Sequence, residues 1–324
     1  MAARGNKSFE AFSAYFDRIT EAVEYVIQGK HDVVRQCVVA LFAEGHVLIE
    51  DVPGVGKTML AKALARSLGC SFRRIQFTPD LLPTDISGVR IWGRQRGVEF
   101  RPGPIFAQIV LGDEINRASP KTQAALLESM EERQVTLDGE SYALERPFMV
   151  VATQNPIEHE GTYPLPEAEL DRFLMRVRIG YPDPQAEVDV LSVHGLPGRL
   201  EEVEPVISAA NVRKLIELGH TVHVADAIKS YIVTLLGGTR EHDQTYLGAS
   251  PRAGLMLQRA ARVVAAADGR DYVVPDDVKE LAVSVLSHRV ITTPDAQLSG
   301  ISSEALVQDV IDNTSVPKKA RVTT

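Results

Sequence analysis

A glycine-rich segment followed by a lysine and a threonine offers the clearest chemistry in this 324-residue sequence. The segment reads Asp-Val-Pro-Gly-Val-Gly-Lys-Thr from Asp51 to Thr58, and it follows a short apolar run at residues 47–49. Glycines let the backbone turn tightly, so that successive N–H groups can point at phosphate oxygens. Lys57 can reach the β- and γ-phosphates of a nucleotide, and the Thr58 hydroxyl can bind Mg²⁺. We therefore predict a phosphate-binding loop.

One position of this loop departs from the general pattern G-x-x-x-x-G-K-[ST], because Asp51 stands where the first glycine is expected. The flanking elements support the motif, since an apolar strand precedes it and apolar residues at helical spacing follow up to Leu68. We predict that the loop and the first residue beyond it contact the nucleotide. These residues are Asp51, Pro53, Gly54, Val55, Gly56, Lys57, Thr58 and Met59.

Two adjacent carboxylates, Asp113 and Glu114, end a second apolar strand at residues 109–112. Phosphoryl transfer to water depends mainly on positioning and electrostatics, so one metal-holding acid and one water-holding acid suit the reaction. We predict that Asp113 and Thr58 hold Mg²⁺ and that Glu114 activates the attacking water. A solvated acidic turn is the alternative for an isolated Asp-Glu pair, and the upstream phosphate-binding loop disfavours it.

Two further polar residues can stabilise charge on the phosphates. Asn155 follows the apolar strand at 148–153, although an asparagine before proline is also an ordinary turn former. Arg252 follows an N-cap serine and a proline, Ser250 and Pro251, at the start of a predicted helix. The helix dipole disfavours a cation there, and a phosphate facing Arg252 would remove the conflict.

Arg172 is a candidate for a residue that reaches the nucleotide of a neighbouring subunit. An arginine that follows an aspartate, here Asp171, is more often part of a surface ion pair, and this alternative stays open. A segment rich in glycine and arginine at about 86–104 also has two possible interpretations. Its arginines can contact a substrate, a partner or another subunit, or the segment can be a solvated loop.

Strand and helix patterns arrange these residues in an α/β core followed by a helical domain. Apolar or alternating strands are predicted at 47–49, 72–77, 109–112, 148–153 and 175–179. An Asp-Gly pair between β-forming residues predicts a hairpin at about 135–146. Later helices are predicted at about 186–194, 208–219, 223–237, 251–267 and 275–289. The predicted domains are a core at 1–184, a helical lid at 185–290 and a polar tail at 291–324.

Composition and charge narrow the class of protein. The formal net charge of −8 disfavours nucleic-acid binding as the main task, since that task usually needs a basic face. No stretch approaches the roughly 18 consecutive apolar residues of a membrane span, and the N-terminus lacks an apolar signal segment. The two cysteines, Cys37 and Cys70, have no metal-binding spacing. We predict reduced thiols in a cytoplasmic protein.

Taken in order, these motifs resemble those of AAA+ ATPases and, more closely, of the MoxR family. The stretches that carry the resemblance are 51–58, 113–117, 152–156, 161–167 and 170–173. The resemblance implies Walker A, Walker B, sensor 1 and sensor 2 roles. In that order, these roles fall on Lys57 and Thr58, on Asp113 and Glu114, on Asn155, and on Arg252. Arg172 matches the arginine finger that acts on a neighbouring subunit, with Arg176 as the alternative.

The resemblance also implies a fold, an activity and partners. It implies a parallel-sheet AAA+ core and a small all-α lid that bind ATP and Mg²⁺ between them, with an insert at 86–104 and a hairpin before sensor 1. Such proteins form homo-oligomers, typically hexameric rings, and are thought to mature or insert cofactors into partner complexes. The partner often carries a von Willebrand factor A domain. A nucleic-acid-remodelling motor and a nucleotide-gated scaffold with little turnover remain the alternatives.

Overall fold

The computed structural model describes residues 2–93, 97–156, 161–181, 184, 187–188 and 198–317. These residues form two compact units. One unit holds the described residues from Tyr15 to Ile216, and the other holds those up to Ala14 and from Glu217 onward. The units therefore divide later than the predicted boundary at residue 184. The extra residues belong with the first unit because their backbone bonds to the helix that follows the glycine loop, as in the 2.7 Å bond from the Val206 N–H to the Ser67 carbonyl.

The unit from Tyr15 to Ile216 contains nine strands. They are β1 (Val47–Glu50), β2 (Phe72–Gln76), β3 (Gly88–Gly93), β4 (Gly97–Pro102), β5 (Ile109–Asp113), β6 (Gln134–Leu137), β7 (Glu140–Ala143), β8 (Met149–Gln154) and β9 (Met175–Val177). Five of them form one sheet in the order β2-β5-β8-β1-β9. Every pairing within it is parallel. The near-continuous apolar runs of β1, β5 and β8 are typical of strands covered on both faces.

Helices connect and cover these strands. They are α1 (Ala2–Glu24), α2 (His31–Phe42), α3 (Lys57–Ser67), α4 (Pro83–Ser87), α5 (Pro120–Glu132), α6 (Glu167–Leu170), α7 (Arg199–Glu202) and α8 (Ala209–His220). The residues of α1 up to Ala14 and those of α8 from Glu217 belong to the other unit. A short 3₁₀ turn at Ile115–Arg117 follows β5. Leu126 and Met130 of α5 join Val110 and Val150 of the sheet in one buried apolar cluster. This packing holds β5 and β8 against α5. The predicted polar residues Asp113, Glu114 and Asn155 lie at or just after the carboxyl ends of these two strands.

The remaining strands of this unit form two antiparallel hairpins, β3–β4 and β6–β7. The second confirms the hairpin predicted from Asp138 and Gly139, which both have positive φ angles in the turn. The first lies within the predicted insert, of which positions 94–96 are outside the described residues. The rings of Phe100 and Tyr142 stack with their centroids 4.1 Å apart, so the two hairpins are packed against each other.

The second unit is mainly helical. It contains α9 (Asp226–Glu241), β10 (Thr245–Leu247), α10 (Pro251–Ala267), α11 (Pro275–Leu286), β11 (Ile291–Thr292), α12 (Pro294–Leu298) and α13 (Ser303–Asn313). The predicted start of α10 is confirmed, since the Ser250 hydroxyl accepts a 3.3 Å hydrogen bond from the Ala253 N–H. No helix among the residues described is long and apolar enough to cross a membrane.

Helix α13 corrects the prediction of a loosely ordered polar tail after residue 290. Leu306, Val307, Val310 and Ile311 are buried on one side of this helix. Their spacing places four apolar side chains on one helical face, and burying that face outweighs the polarity of the flanking residues. Two other predictions, the helix at 186–194 and the basic residues from Lys318 onward, lie mostly or wholly outside the described residues.

Candidate functional site

A cavity of about 200 Å³ lies where the glycine loop, β5 and β8 end. Its lining contains most of the residues predicted to bind or hydrolyse a nucleotide. They are Pro53, Gly54, Gly56, Lys57, Thr58, Met59, Asp113, Glu114 and Asn155. Residues from three separate stretches therefore meet because parallel strands bring their carboxyl ends to one edge of the sheet. Asp51 and Val55, predicted with them, are not among the lining residues.

The glycine loop joins β1 to α3 through two left-handed backbone positions. Gly54 has a φ of +86° and Gly56 a φ of +92°, a region in which residues with a Cβ are strained. Gly56 is also the N-cap of α3, so the first N–H groups of that helix follow directly from the loop. The ammonium group of Lys57 donates a hydrogen bond to the carbonyl oxygen of Asp51 at the start of the loop. The loop thus combines backbone N–H groups, a helix N-terminus and one lysine, as an anion site requires.

Asp51 fastens the loop instead of lining the cavity. Its Oδ1 accepts a 2.8 Å hydrogen bond from the Val52 N–H, and its Oδ2 accepts a 2.6 Å bond from the Gly180 N–H. Asp51 is buried, and its φ is not in the left-handed region that favours glycine. This accounts for the departure from the general motif, because the backbone does not need glycine there. Both carboxylate oxygens bond to the protein, and the nucleotide contact of Asp51 stays a prediction.

Asp113 and Glu114 are linked through the hydroxyl group of Thr153. Thr153 Oγ1 donates a 2.6 Å hydrogen bond to Asp113 Oδ1 and accepts a 2.9 Å bond from the Glu114 N–H. Glu114 has a φ of +57°, which is uncommon for a residue with a side chain and is frequent at functional sites. Thr153 was not predicted to belong to the site. The available signal was a hydroxyl-bearing residue at the end of an otherwise apolar strand.

Two side chains of β2 also reach these carboxylates. Asp113 Oδ2 accepts hydrogen bonds of 3.1 Å and 2.5 Å from Nε and Nη2 of Arg74. Gln76 Nε2 donates a 2.9 Å bond to Glu114 Oε2, and Arg117 Nη1 donates a 3.0 Å bond to the same oxygen. Neither Arg74 nor Gln76 was predicted to belong to the site. Their alternation along β2 puts both on one face, but only the pairing of β2 with β5 shows what that face meets.

Asn155 lines the cavity, and its backbone belongs to a buried polar cluster. Its carbonyl oxygen accepts a 3.5 Å hydrogen bond from Asn116 Nδ2. The Asn116 carbonyl oxygen in turn accepts a 2.6 Å bond from the Tyr163 N–H, and Gln123 Nε2 donates a 2.9 Å bond to the Tyr163 carbonyl oxygen. The end of β8, the turn after Glu114 and the loop at 161–166 are therefore bound together, and residues 157–160 are outside the described part of the chain.

The three arginines predicted to act on phosphates occupy other places. Arg172 Nε lies 3.3 Å from Glu131 Oε2, which matches the ion-pair alternative in kind but with a different partner. Arg176 Nη1 lies 3.5 Å from Glu50 Oε2. Arg252 is the second residue of α10, in the unit that continues from Glu217. Neither Arg172 nor Arg176 lines the cavity of its own unit.

The parallel sheet carries a glycine-rich loop after β1 and the carboxylates Asp113 and Glu114 at the end of β5, which is separated from β1 by β8. This arrangement defines a P-loop nucleoside triphosphatase. Comparison with family models agrees, since residues 46–175 match the ATPase family associated with various cellular activities (AAA). Residues 237–310 match an AAA lid domain, which extends past the predicted end of the lid. The predicted AAA+ core and helical lid are therefore confirmed.

Relatives and a solved structure narrow the family. The chain is 50% identical to the protein YeaC of Bacillus subtilis, over 93% of this chain and 94% of that one. It is 42% identical to Chaperone MoxR1 of Mycobacterium tuberculosis, over 93% and 82% of the two chains. A crystal structure of a Cytophaga hutchinsonii protein matches with a TM-score of 0.91 and 35% identity, over 98% and 99% of the chains. The chain belongs to the MoxR family of AAA ATPases.

Proposed function

We propose that this chain hydrolyses ATP in the presence of Mg²⁺ and that the cavity at the end of β1, β5 and β8 is the catalytic site. The observation that carries the proposal is the convergence of Lys57, Thr58, Asp113, Glu114 and Asn155 on one cavity. Lys57 and the backbone N–H groups of the loop hold the phosphates. Glu114 orients the attacking water, and Asn155 donates to the γ-phosphate or to that water.

The donor set of the cavity fits Mg²⁺. The Thr58 hydroxyl and the Asp113 carboxylate both line it, and Mg²⁺ prefers oxygen ligands from one or two side chains together with phosphate oxygens. When bound, Mg²⁺ would neutralise part of the charge on the phosphates. Thr153 supports this role, because its bond to Asp113 Oδ1 fixes the orientation of the carboxylate.

A second cavity in the same unit suits the base of the nucleotide. Its volume is about 590 Å³, and it is lined by Glu24, Gly29, Lys30, His31, Asp32, Val33 and Ile179. The neighbouring Ile27 comes close to the glycine loop, since its Cδ1 lies 3.7 Å from the position of a Cβ built on Gly56. Lys30 Nζ donates a 2.7 Å hydrogen bond to the Tyr181 carbonyl oxygen and so ties this cavity to the chain after β9.

Assembly and cellular role are further parts of the proposal. AAA ATPases are typically oligomeric, and we infer a hexameric ring in which Arg172, or Arg176 in its place, acts on the nucleotide of the adjacent subunit. Such a finger raises turnover by about 10³–10⁵ in other phosphohydrolases. Arg252 would act on the phosphates within the same chain. The name of the relative Chaperone MoxR1 supports a chaperone-like role. In this role, hydrolysis would mature a cytoplasmic partner complex or insert a cofactor into it. One member of that complex would carry a von Willebrand factor A domain.

The test compares nucleotide binding with phosphate release in the full chain. Glu114→Gln is expected to bind ATP with Mg²⁺ about as tightly as the parent and to release phosphate at least about 100-fold more slowly, because the amide cannot accept a proton from water. Lys57→Ala is expected to lose binding itself. Glu128→Gln, an exposed position on α5, removes the same charge and should change neither quantity. Full hydrolysis by Glu114→Gln would contradict the assignment of the base.

The same assay separates the two alternative functions. A nucleic-acid motor would hydrolyse ATP faster when DNA or RNA is added, and the stimulation would fall steeply with salt. The net charge of −8 favours the protein-directed role instead. A nucleotide-gated scaffold would bind ATP without appreciable phosphate release, whatever the concentration of the chain. Hydrolysis that rises with oligomerisation supports the ring.

A further inference from the structure

Arg74 makes a close ionic contact with Asp113, the carboxylate that would hold the metal. Both Nε and Nη2 of Arg74 donate to one oxygen, Asp113 Oδ2, at 3.1 Å and 2.5 Å. The other oxygen, Oδ1, accepts the 2.6 Å bond from Thr153. The two oxygens are therefore held differently, since Oδ1 bonds to a neutral hydroxyl group in the sheet and Oδ2 bonds to a guanidinium cation.

The position of Arg74 favours an exchangeable contact. Its side chain is 48% exposed, whereas that of Asp113 is 14% exposed. Arg74 lies on β2, an edge strand of the sheet, so it can swing into solvent without disturbing buried packing. An ion pair in which one side chain is half-exposed to water contributes little to stability. A divalent cation bound to phosphates is well able to displace such a partner.

We propose that Arg74 is a positioning residue that competes with the divalent cation for Asp113 and leaves when the metal–nucleotide complex binds. A guanidinium group and Mg²⁺ repel each other, so binding of both at Asp113 Oδ2 is unfavourable. This inference rests on the proposed function, in which Asp113 helps to hold Mg²⁺. It adds a step in which the metal must first remove a resident positive charge.

Gln76 connects Arg74 to Glu114, so displacement of Arg74 from Asp113 also affects Glu114. Arg74 Nη2 donates a 2.5 Å hydrogen bond to Gln76 Oε1, while Gln76 Nε2 donates the 2.9 Å bond to Glu114 Oε2. Arg74 thus orients the amide that holds the water-activating carboxylate. When Arg74 leaves Asp113, the Gln76 amide loses the partner that fixes its orientation. Metal arrival at Asp113 is in this way linked to the freedom of Glu114.

The experiment measures binding of a fluorescent, non-hydrolysable ATP analogue to the full chain during a titration with Mg²⁺. Arg74→Gln is expected to reach half-maximal enhancement of binding at an Mg²⁺ concentration about fivefold lower than the parent, which corresponds to about 1 kcal/mol. Arg73→Gln is the matched control. It removes the same charge from the adjacent exposed residue of β2, which points to the opposite face, and it should leave the midpoint unchanged.

A merely structural role for Arg74 predicts the opposite direction. If the pair only held Asp113 in place, Arg74→Gln would raise the Mg²⁺ midpoint, and a raised or unchanged midpoint would overturn the inference. Asp113→Asn, introduced into the parent and into Arg74→Gln, should abolish the difference between their Mg²⁺ midpoints. A difference that persists would show that Arg74 acts elsewhere.

Failure of the proposed function would look different. In that case binding of the analogue to the parent chain would not depend on Mg²⁺, or Lys57→Ala would bind the analogue as tightly as the parent does.

Discussion

The Thr153 hydroxyl donates a 2.6 Å hydrogen bond to Asp113 Oδ1 across two neighbouring strands of the sheet. Thr153 Oγ1 also accepts a hydrogen bond from the Glu114 N–H, so one buried hydroxyl group fixes both the Asp113 carboxylate and the backbone of Glu114. Glu114 keeps an uncommon left-handed φ at this place. The bond from its N–H to Thr153 is one of the contacts that hold that conformation.

Thr153→Val should reduce both hydrolysis and stability. Valine has nearly the shape of threonine, but it leaves Asp113 Oδ1 and the Glu114 N–H without this partner. We expect the free energy of unfolding to fall by about 1–3 kcal/mol, as for other buried groups left unpaired. Phosphate release should fall about 10- to 100-fold because the two carboxylates lose their alignment. Thr153→Ser keeps the hydroxyl and should restore most of the turnover. A valine variant with parental turnover would contradict this role.

Asp51→Gly should not improve the loop, although glycine is the usual residue of the general motif. It removes the acceptor for the Val52 and Gly180 N–H groups, and the backbone at residue 51 does not need a left-handed φ. We expect urea denaturation to show a loss of about 1–3 kcal/mol for Asp51→Gly and for Asp51→Ala. Asp243→Ala, an exposed aspartate, serves as the control. Equal or higher stability of the glycine variant would exclude the fastening role.

Phe100 and Tyr142 should show a measurable coupling in a double-mutant cycle. Their rings stack at 4.1 Å and join the β3–β4 hairpin to the β6–β7 hairpin. The free energies of unfolding of the two alanine variants and of the double variant should reveal a coupling of about 0.5–1.5 kcal/mol. Phe100→Ala combined with Tyr246→Ala, a residue that is 76% exposed in the other unit, should be additive. Additivity for the stacked pair would mean that the hairpins are independent.

The two thiols should make the protein less stable as pH rises. Burial raises the pKa of Cys37 to about 12, and burial together with the charge of Glu145 raises the pKa of Cys70 to about 12. An unfolded thiol ionises near pH 8.5, so above that pH the unfolded chain loses protons that the folded chain keeps. The contribution of each thiol to stability is complete below about pH 8.5 and is lost as pH rises toward 12.

The measurement compares the parent with Cys37→Ala at pH 7 and pH 10. The stability difference between the two should shrink at pH 10, because only the parent has the buried thiol. A difference that does not change with pH would show that Cys37 ionises equally well in both states. Neither Cys37 nor Cys70 forms a disulfide in the structure, and their reduced state in the cell stays a prediction.

The strands and the phosphate loop could be predicted because their signals are local. The apolar runs at 47–49, 109–112 and 148–153 each fall within or almost within a strand of the sheet, since strands covered on both faces must be apolar along their whole length. The spacing of Gly54, Gly56 and Lys57 likewise predicts the shape of the loop without any information about distant residues. Local pattern was enough to identify these parts of the site.

The partners of the carboxylates could not be predicted because they depend on strand order. Arg74 and Gln76 belong to the site only because β2 pairs with β5, and a sequence pattern does not reveal that neighbour. Asp51 and Gly180 are 129 residues apart, and the carboxylate of Asp51 shows no local sign of its distant partner. The site residues that were missed are therefore those whose role arises from tertiary contacts.

Because β2 is an edge strand of the sheet, the rate of amide hydrogen exchange should differ between β2 and the central strands that carry the candidate site. Strands β5 and β8 are paired on both sides, so their amides should exchange only when the unit unfolds as a whole. The amides of β2 are paired on one side and can exchange through smaller openings. Arg74 and Gln76 would then lie on a more readily opened strand, while Asp113 and Thr153 lie on strands that exchange more slowly.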